Sequence, residues 1–183
     1  MAYKGLAAMV YAPLVAEVGG VPVYGTGGVL GRAMKYELDP EYEDTADYED
    51  LNDLDPRQEF VRAKLTLGAA ETSDPALVMF GDTAEGGGLV SVDISTATPC
   101  GLGLVMPEVY RGRVTWVVLW LYKVFIQGIK ESAESRTRDI AYMTPEISGV
   151  AVPAGNGRWK HKYKFESKDE ALSFATGLAS TTI

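Results

Sequence analysis

Between residues 59 and 67 the chain alternates strictly: Val61, Ala63, Leu65 and Leu67 fall on one side, Arg62, Lys64 and Thr66 on the other. A period of two is the signature of a half-buried strand. Shorter or more apolar strand-like runs cover 6–18, 21–24, 33–38, 89–94, 102–106, 114–126, 146–152 and 158–165, with Gly and Pro between them. Pro22 makes the run 21–24 an edge strand, because proline has no N–H to give a ladder. A chain of about seven strands cannot leave its sheet open, since one apolar face would stay in water. The expected fold class is therefore mainly β, a β-sandwich or barrel. With 183 residues the chain is long enough for one real core, so residues 1–183 read as a single domain.

Two short helices interrupt the pattern. Ser73 or Asp74 can cap the first, Pro75 suits its first position and Gly81 can end it. At the other end of the chain, Ser167 followed three residues later by Glu170 forms a capping box. That box predicts a helix from 168 to about 176, closed by Gly177, within a C-terminal helix and tail over 167–183. Asn156-Gly157 is a strong turn pair and predicts a hairpin between the runs 146–152 and 158–165. Gly25 to Gly28 reads as another hairpin loop, and 131–138 as a solvated loop.

Charge is distributed unevenly. Residues 37–59 hold eleven acids and one base, a net of −10, whereas the whole chain carries −8. The rest of the molecule is thus slightly basic, and all of the net negative charge sits in one segment. Nucleic-acid binding through a basic surface is not expected, because phosphate affinity comes from clustered Lys and Arg.

Several chemistries lack their residues. Cys100 is the single cysteine and His161 the single histidine, so neither a disulfide framework nor a cysteine zinc site is available. Cys100, beside Pro99, reads as a small buried apolar group, and His161 as an inward or interfacial side chain in an alternating strand. The glycines at 25, 27, 28 and 31 miss the dinucleotide spacing by one residue. Started at Asp47, Asp50 or Asp53, the acidic run lacks the glycine a calcium loop needs at its sixth position. No cofactor, metal or catalytic residue is expected. The longest apolar run, 114–122, is half of what a spanning helix requires. The apolar stretch after Lys4 imitates an export signal, but Pro13 interrupts it and no Ala-x-Ala follows.

About twenty residues without evident secondary structure are uncommon in a compact domain. The stretch 37–59 therefore reads as a loop or arm, with Tyr42, Tyr48, Leu51 and Leu54 as anchors among Glu41, Glu43, Asp44, Asp47, Glu49, Asp50, Asp53 and Asp55. An ordered acidic arm needs a basic counterpart, and the strand with Arg158, Lys160, Lys162 and Lys164 is the candidate. An arm docking on the next subunit would be a heterologous contact, which generates rings or filaments. The alternative is that the lysines only protect an exposed strand edge.

Five blocks carry a resemblance. They are Tyr48-Glu49-Asp50, the strand at 59–67, the short helix near Pro75 to Phe80, Trp120-Leu121-Tyr122-Lys123, and Met143-Thr144-Pro145-Glu146-Ile147-Ser148-Gly149. In this order and spacing the chain resembles the major tail proteins of long-tailed, non-contractile bacteriophages. The last block is similar to that family's Thr-Pro-x-Leu-x-Gly. The chain departs from the family in the acidic segment before Tyr48 and in the apolar Val124-Phe125-Ile126-Gln127.

The resemblance implies a tail-tube fold and a structural role without catalysis. Six copies would form a ring with a β-barrel inner wall, and rings would stack into a tube. DNA would pass through the lumen without specific binding. The tape measure protein, a tail terminator and tail-tip proteins would be partners, and the protein would be made in the host cytoplasm and end in the virion. The competing reading is a monomeric β-sandwich interaction module with an acidic tether.

Overall fold

The computed structural model describes residues 2–3, 5–44, 58–86, 88–91, 97–130 and 145–180. It is mainly β. In chain order the elements are β1 (Ala2–Tyr3), β2 (Ala8–Val18), β3 (Val21–Tyr24), β4 (Gly28–Asp44), β5 (Gln58–Thr72), α1 (Asp74–Met79), β6 (Asp82–Glu85), β7 (Gly88–Ser91), β8 (Cys100–Tyr110), β9 (Arg113–Lys130), β10 (Glu146–Ala151), β11 (Lys160–Phe165) and α2 (Lys168–Leu178). Strands β8, β2, β4, β5, β10 and β9 pair in that order, and β9 pairs back with β8. The sheet therefore closes into an antiparallel barrel, which removes most free edges and encloses one apolar face.

Two expected hairpins are something else. β10 and β11 do not pair with each other; both lie antiparallel along β9, at 124–130 and 116–121 respectively. They form one line interrupted by the loop 152–159. Asn156-Gly157 does make a turn, with Gly157 N–H donating to Ala154 O at 2.8 Å, but the turn is an excursion within that line. In the same way β3 and β4 both lie along β2, at 14–18 and 9–11, with the loop 25–27 between them. Local turn chemistry bends the chain but does not choose the neighbour. The neighbour is set by which edge leaves the apolar residues inside.

Alternation sorts the side chains into two layers. Met9, Tyr11, Leu65, Leu67, Leu102, Leu104, Leu121, Val124 and Ile147 fill the interior. Ala8, Val10, Ala12, Val105, Val118 and Trp120 form an outer cluster with Ala171, Ala175 and Ala179 of the α2 segment. The alanines let the helix lie close to the sheet. Gly101 serves the same packing: a Cβ there would sit 2.5 Å from the Trp120 ring and 2.7 Å from Tyr24. α2 runs through Gly177 to Leu178, one turn's fraction past the expected stop, because buried Ala175 and Ala179 hold it against the sheet. Its Ser167 hydroxyl accepts from Glu170 N–H at 3.1 Å, as the capping box predicts. At α1, Ser73 is the N-cap residue, yet its hydroxyl donates to Val29 O at 2.8 Å. Buried Ala76 and Phe80 join α1 to the interior cluster.

The run 59–67 is a strand as expected, with Ala63, Leu65 and Leu67 buried and Arg62 and Lys64 exposed; Val61 shares the face of the buried residues but is exposed, because it lies past the last pairing of β5 with β10. Cys100 is fully buried, as expected, and burial pushes its thiol up to about 12. His161 is exposed rather than inward; it stacks on Tyr163 with centroids 3.9 Å apart, and its Nδ1 lies 3.2 Å from the Tyr122 hydroxyl. The expected loop 131–138 lies outside the described residues, as does the end of the strand expected at 89–94.

Candidate assembly surface

The acidic segment is not a structureless loop throughout. Residues 37–44 continue β4, and β5 begins at Gln58, so both flanks of the segment are paired strand. β4 pairs with β2 only as far as Gly31 but with β5 as far as Asp44. β5 pairs with β10 only between Ala63 and Gly68. Residues 41–44 of β4 and 58–62 of β5 therefore pair only with each other and form the root of an arm at the barrel rim. Asp47, Tyr48, Glu49, Asp50, Leu51, Asp53, Leu54 and Asp55 lie outside the described residues.

Sequence reasoning missed this strand because acids are poor strand formers on their own. Cross-strand bases make the difference. Glu41 faces Arg62 in the register, and its two carboxylate oxygens lie 2.6 Å from Arg62 Nε and 2.6 Å from Lys64 Nζ. The Lys64 bond first, then the Arg62 bond, hold the Glu41 carboxyl below its ordinary value. Lys35 and Glu37, two apart on β4 itself, form an exposed pair at 2.9 Å. Such exposed pairs each contribute little, but directly opposed opposite charges favour this pairing over others.

The other side of the arm root is aromatic. Tyr42 meets Phe60 edge-on at 5.8 Å, and Phe60 stacks on Trp159 at 4.0 Å with the rings 9° apart. Lys160 Nζ lies 4.2 Å from the centroid of the Trp159 ring. Among the described residues, the root of the arm and the start of the basic strand are thus joined within one chain through stacked rings. Stacked pairs of this kind are worth about 0.5–1.5 kcal/mol beyond their burial.

The basic strand has a partner that the sequence did not suggest. Glu108 on β8 is 1% exposed, and its two oxygens lie 2.6 Å from Lys162 Nζ and 2.6 Å from Lys164 Nζ. Lys162 and Lys164 share a face of β11 by alternation, as expected, and that face meets Glu108. Arg158 sits at the loop's end, where its N–H donates to Asn156 Oδ1 at 3.1 Å. The signal available for Glu108 was a single acid in the otherwise apolar run 102–109. Glu17 is similar: it accepts from Lys123 Nζ at 2.8 Å and from Gly155 N–H at 3.0 Å.

β11 pairs with β9 alone, and β3 with β2 alone, so each leaves one strand edge unpaired among the described residues. No described helix is long and apolar enough to cross a membrane. No protein-family model matches this chain, and no curated protein matches it.

Proposed function

We infer that this chain is a structural subunit that builds a tube: the tail-tube protein of a long-tailed, non-contractile bacteriophage, six copies to a ring and rings stacked end to end. The observation that carries the reading is the arm. A closed barrel has few edges through which to assemble, yet here β4 and β5 stay paired out to Asp44 and Gln58, past the last pairing of β5 with β10 at Ala63. A charged two-stranded extension at the rim of a closed body suits contact with a neighbouring copy better than it suits enclosure of a small ligand.

In this reading the arm reaches the next subunit or ring, and the basic strand from Lys160 to Lys164 receives it. Lys160, Lys162 and Lys164 alternate along β11, and the side chains of Lys162 and Lys164 each reach Glu108. The tape measure protein, the tail terminator and tail-tip proteins are then the further partners, and the assembled virion is the site of action. Acids on the barrel strands, not the arm, face the channel. Screening confines their repulsion of phosphates to about 8 Å at physiological salt, so DNA passes without being held.

Negative-stain microscopy and sedimentation of the purified chain test this. Six-fold rings or tubes are the expected result. A compact monomer at high protein concentration would defeat the reading and favour the monomeric interaction module.

A further inference from the structure

We propose that the two-residue turn between β8 and β9 is a contact surface, and that it receives the root of the acidic arm of a second copy of this chain. This rests on the assembly reading above and adds a second receiver for the arm, beyond the lysine strand.

Register pairs Tyr110 with Arg113, so Arg111 and Gly112 alone make the turn. Both have positive φ, 50° at Arg111 and 78° at Gly112. Asn-Gly or Gly-Gly suits such a turn, because a longer side chain in the left-handed region crowds its own backbone. Arginine there brings no local advantage. Strain kept at an exposed position indicates a use for the side chain outside the chain's own fold.

The guanidinium is available for that use. Arg111 Cζ lies 5.2 Å from the centroid of the Tyr110 ring, and Arg111 has no acid partner among the described residues. Arg113 has one, Glu166 at 3.0 Å, in a pair 76% and 84% exposed. Pairs so exposed are worth little, so Arg113 can exchange one carboxylate for another. Tyr110 is 48% exposed. A tyrosine flanked by two arginines has the composition of an interface hot spot.

The turn also continues the basic face of β11. Lys164 and Lys162 lie opposite Val117 and Leu119, and alternation along β9 puts Arg113 on that same face.

The arm root carries the matching need. Glu43 lies directly opposite Glu59, and both are exposed. Like charges so placed weaken a strand pair. The bases of the root, Arg62 and Lys64, are both taken by Glu41. Val61, 38% exposed, shares the face of Glu59 by alternation. Two guanidinium groups beside a tyrosine thus fit two carboxylates beside a valine, and the planar fork of arginine suits a carboxylate.

Within one copy these surfaces are held apart. Phe60 of the root stacks on Trp159, just before β11, whereas Arg113 pairs with Glu166, just after it. Seven residues of strand separate the two anchors, about 20 Å, which the Arg and Glu side chains do not span. Turn and root therefore meet only between copies. The contact is heterologous, and it closes into a ring or extends into a filament according to the rotation between copies.

Arg111→Asn tests the contact without risk to the fold. Asparagine suits the left-handed position, so the melting temperature should hold or rise, while sedimenting assembled material falls at least threefold. Unchanged assembly would overturn the proposal. The double variant Arg111→Glu, Arg113→Glu should lose assembled material at least tenfold, and adding Glu43→Arg with Glu59→Arg should restore most of it. Loss without recovery would overturn the arm root as the occupant. Rings or tubes formed equally by wild type and every variant would overturn the contact while leaving the tube reading intact. A wild-type chain that stays monomeric at high concentration would overturn both.

Discussion

Lys162 Nζ lies 2.6 Å from Glu108 Oε1, joining an edge strand to a carboxylate that is 1% exposed. Lys164 takes the other oxygen at the same distance. The pair of lysines thus neutralises a charge that β8 would otherwise bury alone, and removing the carboxylate leaves two partly exposed ammonium groups that can reach water. Glu108→Gln keeps the shape and is expected to cost about 1.5–3 kcal/mol, the range for hydrogen bonds to charged groups. Urea denaturation at neutral pH measures it.

The same site predicts a pH dependence. The bonds from Lys162, then Lys164, hold the Glu108 carboxyl below its ordinary 4.5. A depressed carboxyl contributes its full stability above the unfolded value and loses it as pH falls through the folded one. Wild type should therefore lose stability on acidification below pH 4.5, and Glu108→Gln should lose less over the same window. Parallel curves for the two proteins would contradict the assignment.

Gly101→Ala should destabilise the barrel by about 1–3 kcal/mol through overpacking. Its new methyl would meet the Trp120 ring at 2.5 Å, and that ring is clamped between sheet and hairpin. A lowered melting temperature with an altered near-ultraviolet signal from tryptophan is the expected readout.

Ser167→Ala removes the acceptor for Glu170 N–H and should cost about 1 kcal/mol, the usual value of an N-cap. Ser167→Asp should restore most of it. Thermal denaturation of the three proteins side by side decides the matter.

Cys100 should resist alkylation in the folded state. Burial pushes its thiol up to about 12, so almost no thiolate exists near neutrality. Modification by iodoacetamide should become fast only in denaturant.

Replacing Asp47, Glu49, Asp50 and Asp53 by Asn and Gln should weaken assembly most at low salt, where charge is least screened. Light scattering of the variant against wild type is the measurement, and equal assembly at low salt would reject an electrostatic arm.

What the sequence determined by itself was local. The alternation from Val61 to Leu67 already sorted those residues by face, and Ser167 with Glu170 marked the start of α2, because strand period and helix capping act over a few neighbouring residues. Turn chemistry was equally legible at Asn156-Gly157, but it misled about pairing. Which strand lies beside which was decided only by the tertiary structure: β10 and β11 share β9, and the barrel closes through β8 and β9, because those pairings bury Leu102, Leu104 and Leu121 together. The acidic stretch read as loop because its stabilising bases, Arg62 and Lys64, belong to another strand. Glu108 likewise met lysines 54 and 56 residues further along the chain. Charges on separate strands acquire partners only once the sheet has brought them within a few ångströms, and no window of sequence contains that distance.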